Sequence, residues 1–119
     1  LQRLRRARSG RLRGQVRAKN VLVARDENGI AGFAVWNRKF FWLPFVWLVG
    51  ATPRSRRSGI ATMLFDEIER RCAGVRIYSS TNRSNDVMHR FFGRRGYRRC
   101  GEFELDPGDP EVVYLRDPA

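Results

Sequence analysis

The sequence predicts an α/β fold in which two amphipathic helices alternate with six strand-like segments. Three observations lead to this prediction: the hairpin signal Asn28-Gly29, a nearly continuous apolar run over residues 40–51, and apolar residues at helical spacing over residues 60–72. With 119 residues, the chain fits one domain with a modest core. We therefore expect a single domain over residues 1–119, in which residues 1–20 form a basic, helical segment that ends its helix near Gly14.

The first half of the chain predicts a hairpin followed by a central strand. Residues 21–24 and 30–36 are the two strands of the hairpin. Residues 37–39 separate the hairpin from residues 40–51, whose apolar character suits a strand buried on both faces. Pro44 marks an irregular start of that strand.

The second half predicts two helices, each followed by strands. The first helix covers residues 60–72 and ends at Gly74, and a strand over residues 75–80 follows it. The second helix covers residues 82–95, is capped near Ser84 and stops at Gly96. Residues 97–105 and 111–115 then form a closing hairpin. The apolar side of the first helix carries Ile60, Ala61, Leu64, Phe65, Ile68 and Cys72.

The formal charge of +12 invites a comparison with nucleic-acid-binding proteins. Arginine supplies nearly all of this charge, and much of it lies in residues 1–20, where a solvent-exposed helix explains it more simply. The three tryptophans, Trp36, Trp42 and Trp47, fall in predicted strands with apolar neighbours, which favours the core over a surface that stacks bases. Nucleic acid is therefore not the expected partner, although the basic segment leaves it open.

Cysteine content and hydropathy predict the surroundings of the protein. Two cysteines, Cys72 and Cys100, are too few for a disulfide framework and suggest a reducing, cytoplasmic environment. No signal peptide is visible, and the apolar run over residues 40–51 is too short to span a bilayer. We expect no membrane contact and no bound metal, and a homodimer is left open.

An anion site is predicted where the apolar run meets the first helix. Arg56-Arg57-Ser58-Gly59-Ile60-Ala61 gives a basic loop and a helix whose first turn contains glycine. The first turn of a helix has unpaired N–H groups and a positive dipole end, and Gly59 would let a phosphate approach the backbone. A solvated run of charge is the simpler alternative for the arginines, but their position directly before a helix favours phosphate contact.

Two segments resemble motifs of the GNAT family of N-acetyltransferases. The spacing R-x-x-G-x-A, after a strand that ends near Pro53, resembles motif A, the loop that wraps the pyrophosphate of acetyl-CoA. Residues 85–97 resemble motif B, N-x-x-A-x-x-F-Y-x-x-x-G-F, with Met88 in place of the usual small residue. The matching motif B positions are Asn85, Phe91, Gly96 and Tyr97. The motifs stand in the family's order, and the resemblance covers residues 21–115.

The resemblance implies the GNAT acyl-CoA N-acyltransferase fold, which is a mixed, mostly antiparallel central sheet flanked by helices, here with shortened N-terminal helices. It implies acetyl-CoA as cosubstrate and an amine as acceptor. In relatives, the backbone at the positions of Val49, Gly50 and Ala51 pairs with the pantetheine arm and suits oxyanion donors, although ordinary core strand residues would look the same. The full set of positions that match the cofactor site is Val49, Gly50, Ala51, Arg56, Arg57, Ser58, Gly59, Ile60, Ala61, Thr62, Asn85 and Phe92.

Proton transfer is where the sequence departs from the family. Phe92 stands where relatives have a tyrosine that protonates the leaving thiolate, and Ser80 stands where some relatives have a glutamate base. His89 is the only histidine, and we expect it on the outer face of the second helix. Side chains that could line an acceptor pocket, or simply pack within strands, are Tyr78, Ser79, Thr81 and Tyr114. Carboxylates that could attract a cationic amine, or simply face solvent, are Glu102, Glu104 and Glu111.

The resemblance implies an N-acetyltransferase that moves acetyl from acetyl-CoA to a primary amine by direct attack. No Ser-His-Asp or Cys-His arrangement at a recognisable spacing supports a covalent intermediate. The alternative is a non-catalytic acetyl-CoA-binding or nucleic-acid-associated module on the same fold. Ser80, Phe92 and the basic segment over residues 1–20 are the features that motivate this alternative.

Overall fold

The computed structural model describes residues 21–56 and 59–118, so the helix predicted in residues 1–20 lies outside the described residues. Six strands, a short 3₁₀ helix and two α-helices follow one another along these residues. In chain order they are β1 (Val21–Asp26), β2 (Gly29–Phe40), β3 (Leu43–Ala51), the 3₁₀ helix (Pro53–Ser55), α1 (Ile60–Arg71), β4 (Ile77–Asn82), α2 (Asp86–Arg94), β5 (Arg98–Asp106) and β6 (Asp109–Arg116).

The six strands form one mixed sheet in the order β1-β2-β3-β4-β6-β5. This architecture, and the order of its strands and helices, confirm the fold prediction. The chain divides into two compact units, which we describe one at a time. Within the described residues, the first unit holds residues 21–37, 46–56 and 59–71, and the second holds residues 38–45 and 72–118.

The first unit is built from the β1–β2 hairpin, most of β3, and α1. The hairpin is antiparallel, with Val21 opposite Val35 and a register shift between Ala24 and Arg25. Helix α1 packs against β1, as its apolar stripe predicts, because residues three and four apart share one face. The buried residues of that stripe are Ile60, Leu64, Phe65 and Ile68.

The second unit contains the antiparallel strands β4, β6 and β5, with α2 on one face. The Phe92 ring of α2 stacks on the Tyr114 ring of β6, with centroids 4.6 Å apart and planes inclined by 24°. Tyr97 closes the contact, with its ring centroid 5.4 Å from that of Phe92. Since neighbouring strand residues face opposite ways, Val113 and Glu111 of β6 lie on the face that α2 does not cover.

The hairpin of β2 and β3 corrects the prediction for residues 37–51. Strand β2 continues through residues 37–39 to Phe40, and the chain turns at Phe41 and Trp42 before β3 begins. Both turn residues have left-handed backbones, with φ values of 52° and 64°. Two-residue turns of this hand match the twist of the strands, but they favour Asn and Gly, so Phe-Trp gave no turn signal in the sequence.

The boundaries around α2 also differ from the prediction. Strand β4 begins and ends two residues later than expected, and residues 82–85 therefore precede the helix instead of opening it. The cap is Asn85 and not Ser84, because the Asn85 side chain accepts a hydrogen bond from the Met88 amide at 3.2 Å. Ser84 instead donates its hydroxyl to the Asp109 carboxylate at 2.7 Å.

The tryptophans divide between core and surface. Trp36 is buried, whereas Trp42 is 89 % exposed and Trp47 is 50 % exposed. The core prediction is therefore correct for Trp36 and wrong for the other two. Trp42 is exposed because it lies in the tight turn. Trp47 lies on β3, where buried and exposed residues do not alternate regularly.

We expect that the backbone at Trp42 is strained and that glycine relieves it. A non-glycine residue in the left-handed region costs about 1 kcal/mol or more. Urea unfolding should therefore show Trp42→Gly to be more stable than Trp42→Ala by about 1 kcal/mol, since both variants remove the same side chain.

Trp47 provides the matched control, because it lies in a regular strand. There the order should reverse, with Trp47→Ala more stable than Trp47→Gly by about 0.5–1 kcal/mol. If alanine were the more stable substitution at both positions, the strain at Trp42 would be disproved.

Candidate functional site

The end of β3 is fixed to β2 by a buried threonine. The Thr52 amide donates to the Ala31 carbonyl at 2.9 Å. The Thr52 hydroxyl donates to Ser55 Oγ at 2.9 Å, and both residues are buried. The Ser55 amide donates back to the Thr52 carbonyl at 2.9 Å, which closes the 3₁₀ turn. The chain therefore leaves β3 in one defined direction toward the loop that precedes α1.

Arg54 anchors this turn to the first hairpin. Its guanidinium donates to the two carboxylate oxygens of Asp26 at 2.6 and 3.1 Å, and to the Ile30 carbonyl at 3.3 Å. The hydrogen bond from Arg54 lowers the pKa of Asp26 below its usual value. The contact therefore stabilises the fold above the ordinary pKa of aspartate, and that contribution is lost as the pH falls through the lowered value. Arg56, two residues on, is exposed.

Helix α1 begins with amide groups that the helix itself does not satisfy. Gly59 has φ of +80°, and its carbonyl accepts the first helical hydrogen bond, from the Met63 amide at 2.9 Å. The amides of Ile60, Ala61 and Thr62 come before the first residue that has a helical acceptor. Gly59 has no side chain to cap them, and the first turn contains no acidic residue. These three N–H groups are suited to an anion.

Gly32 of β2 allows β2 to pack closely against the end of β3 and the start of α1. A Cβ atom at Gly32 would lie 2.4 Å from Cγ2 of Ile60 and 2.6 Å from the carbonyl oxygen of Gly50. Real Cβ atoms do not come so close to other heavy atoms. The sequence analysis did not select Gly32, although a glycine inside a strand is a known sign of close backbone approach.

The predicted cofactor residues of the first unit lie along one stretch of chain. Val49, Gly50 and Ala51 are the half-buried last residues of β3. Arg56 lies in the loop, and Gly59 with the first turn of α1 follows it. The other two predicted residues of this loop, Arg57 and Ser58, lie outside the described residues.

The predicted residues of the second unit occupy different faces of its sheet. Asn85 caps α2. Phe92 is completely buried in the face that holds Tyr114. Ser80 lies opposite Val113, so strand alternation places it on the other face. The structure therefore does not bring Ser80 and Phe92 together.

His89 corrects the expectation that it lies on the outer face of its helix. The residue is half-buried, with Nδ1 2.6 Å from the Tyr114 hydroxyl and Nε2 2.9 Å from the Arg83 carbonyl and 3.1 Å from the Asn82 carbonyl. Carbonyl oxygens only accept, so Nε2 carries the proton, and in the neutral ring Nδ1 accepts from Tyr114. Both ring nitrogens are thus engaged in holding α2 to its surroundings.

Most of the hydroxyl side chains considered for an acceptor pocket are core residues. Ser79, Thr81 and Tyr114 are 2 %, 7 % and 7 % exposed, so the packing explanation holds for them. Tyr78 is half-buried, and its hydroxyl accepts a long hydrogen bond from Arg76 at 3.4 Å.

The part of the chain that the structure describes contains neither a candidate metal site nor a helix that could span a membrane. Residues 21–56 and 59–118 hold no group of three histidine, cysteine, aspartate or glutamate side chains placed to bind a metal ion. Over the same residues, no helix is long and apolar enough to cross a membrane.

Comparison with known proteins identifies the family. A model of the acetyltransferase (GNAT) family matches residues 4–97, most of the 119-residue chain. The chain therefore belongs to the GNAT family of acetyltransferases, as its two motifs predicted. No curated protein sequence matches the chain.

Solved structures support the same fold. A GNAT acetyltransferase from Bacillus cereus ATCC 10987 is 28 % identical, with a TM-score of 0.80 over 95 % of this chain and 80 % of its own. A putative GNAT acetyltransferase from Desulfovibrio desulfuricans is 18 % identical, with a TM-score of 0.71 over 83 % and 69 % of the two chains. A putative streptothricin acetyltransferase from Bacillus anthracis, solved with acetyl coenzyme A, is 14 % identical, with a TM-score of 0.73 over 83 % and 62 %.

The close approach at Gly32 leads to a stability prediction. Gly32→Ala should lower the free energy of unfolding by about 1–3 kcal/mol, as overpacking typically does, because the new Cβ has backbone on one side and a branched side chain on the other. Urea unfolding measures the change.

Gly93 of α2 is the control, because a Cβ added there meets nothing within 4 Å. Gly93→Ala should leave stability unchanged or raise it by up to about 1 kcal/mol, the difference in helix propensity. An equal loss in both variants would show that Gly32 does not mark a close approach.

Proposed function

We propose that this protein is an acetyl-CoA-dependent N-acetyltransferase that transfers the acetyl group to a primary amine by direct attack. One observation carries the proposal: α1, whose first amides have no acceptor within the helix, begins shortly after the fixed end of β3. Because the chain belongs to the GNAT family, we assign the binding of acetyl-CoA to the end of β3 and the start of α1. We also propose that residues 1–119 form one catalytic domain and that the protein works in the cytoplasm.

The pyrophosphate of acetyl-CoA is proposed to bind at the first turn of α1. The amides of Ile60, Ala61 and Thr62 donate to it, and the helix dipole favours its charge. Arg56, Arg57 and Ser58 belong to the same loop and add charge and donors. The open groove between β1 and α1, about 620 Å³ in volume, includes Gly59 and Thr62 of this first turn, and its lining also includes the acidic Asp66 and Glu67, which disfavour phosphate farther along the helix.

The last residues of β3 are proposed to hold the reacting end of acetyl-CoA. Backbone groups of Val49, Gly50 and Ala51 pair with the pantetheine arm, and an amide among them stabilises the oxyanion that forms as the amine attacks. Loss of one such donor commonly costs about two to three orders of magnitude in rate. Binding and orientation supply the rest of the acceleration in this proposal.

The leaving thiolate requires no strong acid. An alkyl thiol has a pKa of about 8.5, so coenzyme A leaves readily as a thiolate that solvent then protonates. The burial of Phe92 is compatible with this proposal, because no side-chain proton is needed at its position. Asn85 is proposed to contact the cofactor arm with the amide nitrogen of its side chain, while its oxygen caps α2.

The phosphate proposal is tested by placing a negative charge in front of α1. Gly59→Glu should weaken acetyl-CoA binding at least tenfold in calorimetry, because the carboxylate competes with phosphate for the same amides. The backbone at Gly59 has a positive φ, so this substitution also costs stability.

Gly74→Glu separates the two effects. Gly74 follows the other end of α1 and has nearly the same backbone, with φ of +81°, and neither glycine has a heavy atom within 4 Å of an added Cβ. Both variants should therefore lose similar stability, while only Gly59→Glu loses affinity. Equal affinities in the two variants would contradict the proposed phosphate site.

The alternative of a non-catalytic acetyl-CoA-binding module is decided by turnover. A screen of primary amines that follows the release of free coenzyme A should find at least one acceptor. Tight acetyl-CoA binding with no release above the rate of spontaneous hydrolysis would favour the binding module.

A further inference from the structure

The turn between β2 and β3 exposes two large aromatic side chains, which we call the aromatic tip. Phe41 is 74 % exposed and Trp42 is 89 % exposed. Both have left-handed backbones, with φ values of 52° and 64°, a conformation that is unfavourable for residues other than glycine. Asn-Gly makes the same turn without that strain. The two rings therefore benefit neither the turn nor the core, and this combination indicates a contact outside the chain.

A cluster of rings holds the aromatic tip in place. The centroid of the Phe40 ring lies 5.1 Å from that of Phe41, 4.8 Å from that of Phe45 and 5.0 Å from that of Tyr78. Phe45 is buried, and Phe40 and Tyr78 are half-buried. All of these residues belong to the second unit. Because the base of the tip is already packed, little order has to be gained when the tip binds a partner.

Two cations lie directly behind the aromatic tip. Arg38 and Lys39 are both exposed on β2. Neighbouring residues of a strand face opposite ways, so these two residues put positive charge on both faces of the hairpin. Aromatic rings with cations behind them match the boundary of a bilayer, where rings occupy the headgroup level and Lys or Arg reaches phosphate.

Further cations follow from the ring cluster. The Tyr78 ring contacts Phe40, and its hydroxyl accepts a hydrogen bond from Arg76 at 3.4 Å. Arg76 and Arg98 share one carboxylate, that of Asp117, at 2.8 and 3.5 Å. Two guanidinium groups on one carboxylate leave a positive balance. The surface beside the tip is therefore basic, which suits an anionic partner.

The form of the tip favours a lipid surface over nucleic acid. Proteins that bind single strands stack the bases on rings that lie along a positively charged groove. Phe41 and Trp42 instead occupy an exposed two-residue turn, and the Phe41 ring is perpendicular to the Phe40 ring, with planes inclined by 89°. A second copy of the chain is also disfavoured, because both copies would present the same cations.

We propose that the aromatic tip docks on the surface of an anionic phospholipid bilayer, with Phe41 and Trp42 inserted among the headgroups. The cations that contact lipid phosphate are Arg38, Lys39, Arg76 and Arg98. The protein then lies on the membrane and does not span it. This inference goes beyond the proposed acetyl transfer and does not depend on it. It revises the expectation of no membrane contact, which came from the length of the apolar run and did not consider a surface patch.

The role of charge is tested by sedimentation with lipid vesicles at physiological salt. The full chain should bind vesicles of phosphatidylcholine with about one quarter phosphatidylglycerol, and it should bind vesicles of phosphatidylcholine alone much more weakly. Arg38→Gln should weaken binding about fivefold, the usual effect of one cation near an anionic surface. Arg25→Gln is the control, because Arg25 is exposed but pairs with Ile30 at the other end of β2. It should change binding little.

Insertion of the tip is tested by removing its larger ring. Trp42→Gly should weaken binding to the anionic vesicles about tenfold or more, since the apolar surface of the ring no longer enters the bilayer. Glycine suits the left-handed backbone at this position, so unfolding does not account for the loss. Trp47→Ala removes an exposed tryptophan from a regular strand and should leave binding unchanged.

The depth of Trp42 is tested by fluorescence. Lipids with brominated acyl chains quench tryptophan that enters the bilayer, so they should quench the wild type. Trp42→Phe keeps an aromatic ring and should still bind the vesicles, but the quenching should be lost. Trp47→Phe should retain both binding and quenching.

Four results would overturn the proposal. The first is that the wild type does not bind the anionic vesicles. The second is vesicle binding that Trp42→Gly does not weaken, with no quenching of Trp42, which would show adsorption by charge alone. The third is failure to bind vesicles together with binding of a single-stranded oligonucleotide that Trp42→Gly abolishes, which would assign the tip to nucleic acid. The fourth is failure to bind vesicles together with a dimer in sedimentation equilibrium that Trp42→Gly dissociates, which would assign it to a second copy.

Discussion

The amides at the start of α1 are the constraint on which the rest of this structure depends. A helix leaves its first N–H groups without acceptors, and buried or partly buried donors must find a partner. Among the described residues, Gly59 has no side chain and the first turn of α1 has no acidic residue that could supply one. An anionic ligand satisfies them at no cost in conformational change, because the helix already points the donors in one direction. This requirement links the local sequence to the acetyl-CoA site that we propose.

The neighbouring packing holds those amides in place. Thr52 fixes the end of β3 through a backbone bond to Ala31 and a buried hydroxyl bond to Ser55. Arg54 ties the same turn to Asp26. Gly32 allows β2 to approach the carbonyl of Gly50 and the side chain of Ile60. Few of these contacts belong to the family motifs, yet together they set where the loop begins and where the helix starts.

Sequence patterns were sufficient to predict the order of the elements, helix α1 and the closing hairpin, because each has a strong local sequence signal. Helix α1 has an uninterrupted apolar stripe, and the hairpin has a Pro-Gly turn between its strands. The turn at Phe41 and Trp42 could not be predicted, since neither residue prefers a left-handed backbone. Asn85 and Ser84 are both good caps, and only tertiary contacts decide between them, because Asp109 engages Ser84.

The candidate site also has parts that local sequence can suggest and parts that depend on tertiary contacts. The proposed phosphate loop is local in sequence, so spacing alone is enough to suggest it, and it stays a prediction. The hydrogen bond from the Ser80 hydroxyl to Glu111 joins residues 31 positions apart, and it depends on the register of β4 with β6, which composition and spacing do not specify. His89 was misplaced for a related reason. Its partners include Tyr114 of β6, so its orientation follows from the packing of α2 on the sheet and not from helix periodicity alone.

The most direct test of the central claim compares two ligands by NMR. Acetyl-CoA should shift the amide signals of Ile60, Ala61 and Thr62 together with those of Val49, Gly50 and Ala51. S-acetylpantetheine has the same thioester arm without the pyrophosphate, so it should shift the second group and leave the first nearly unchanged. The account would be contradicted if acetyl-CoA left Ile60, Ala61 and Thr62 unshifted, or if both ligands shifted them equally.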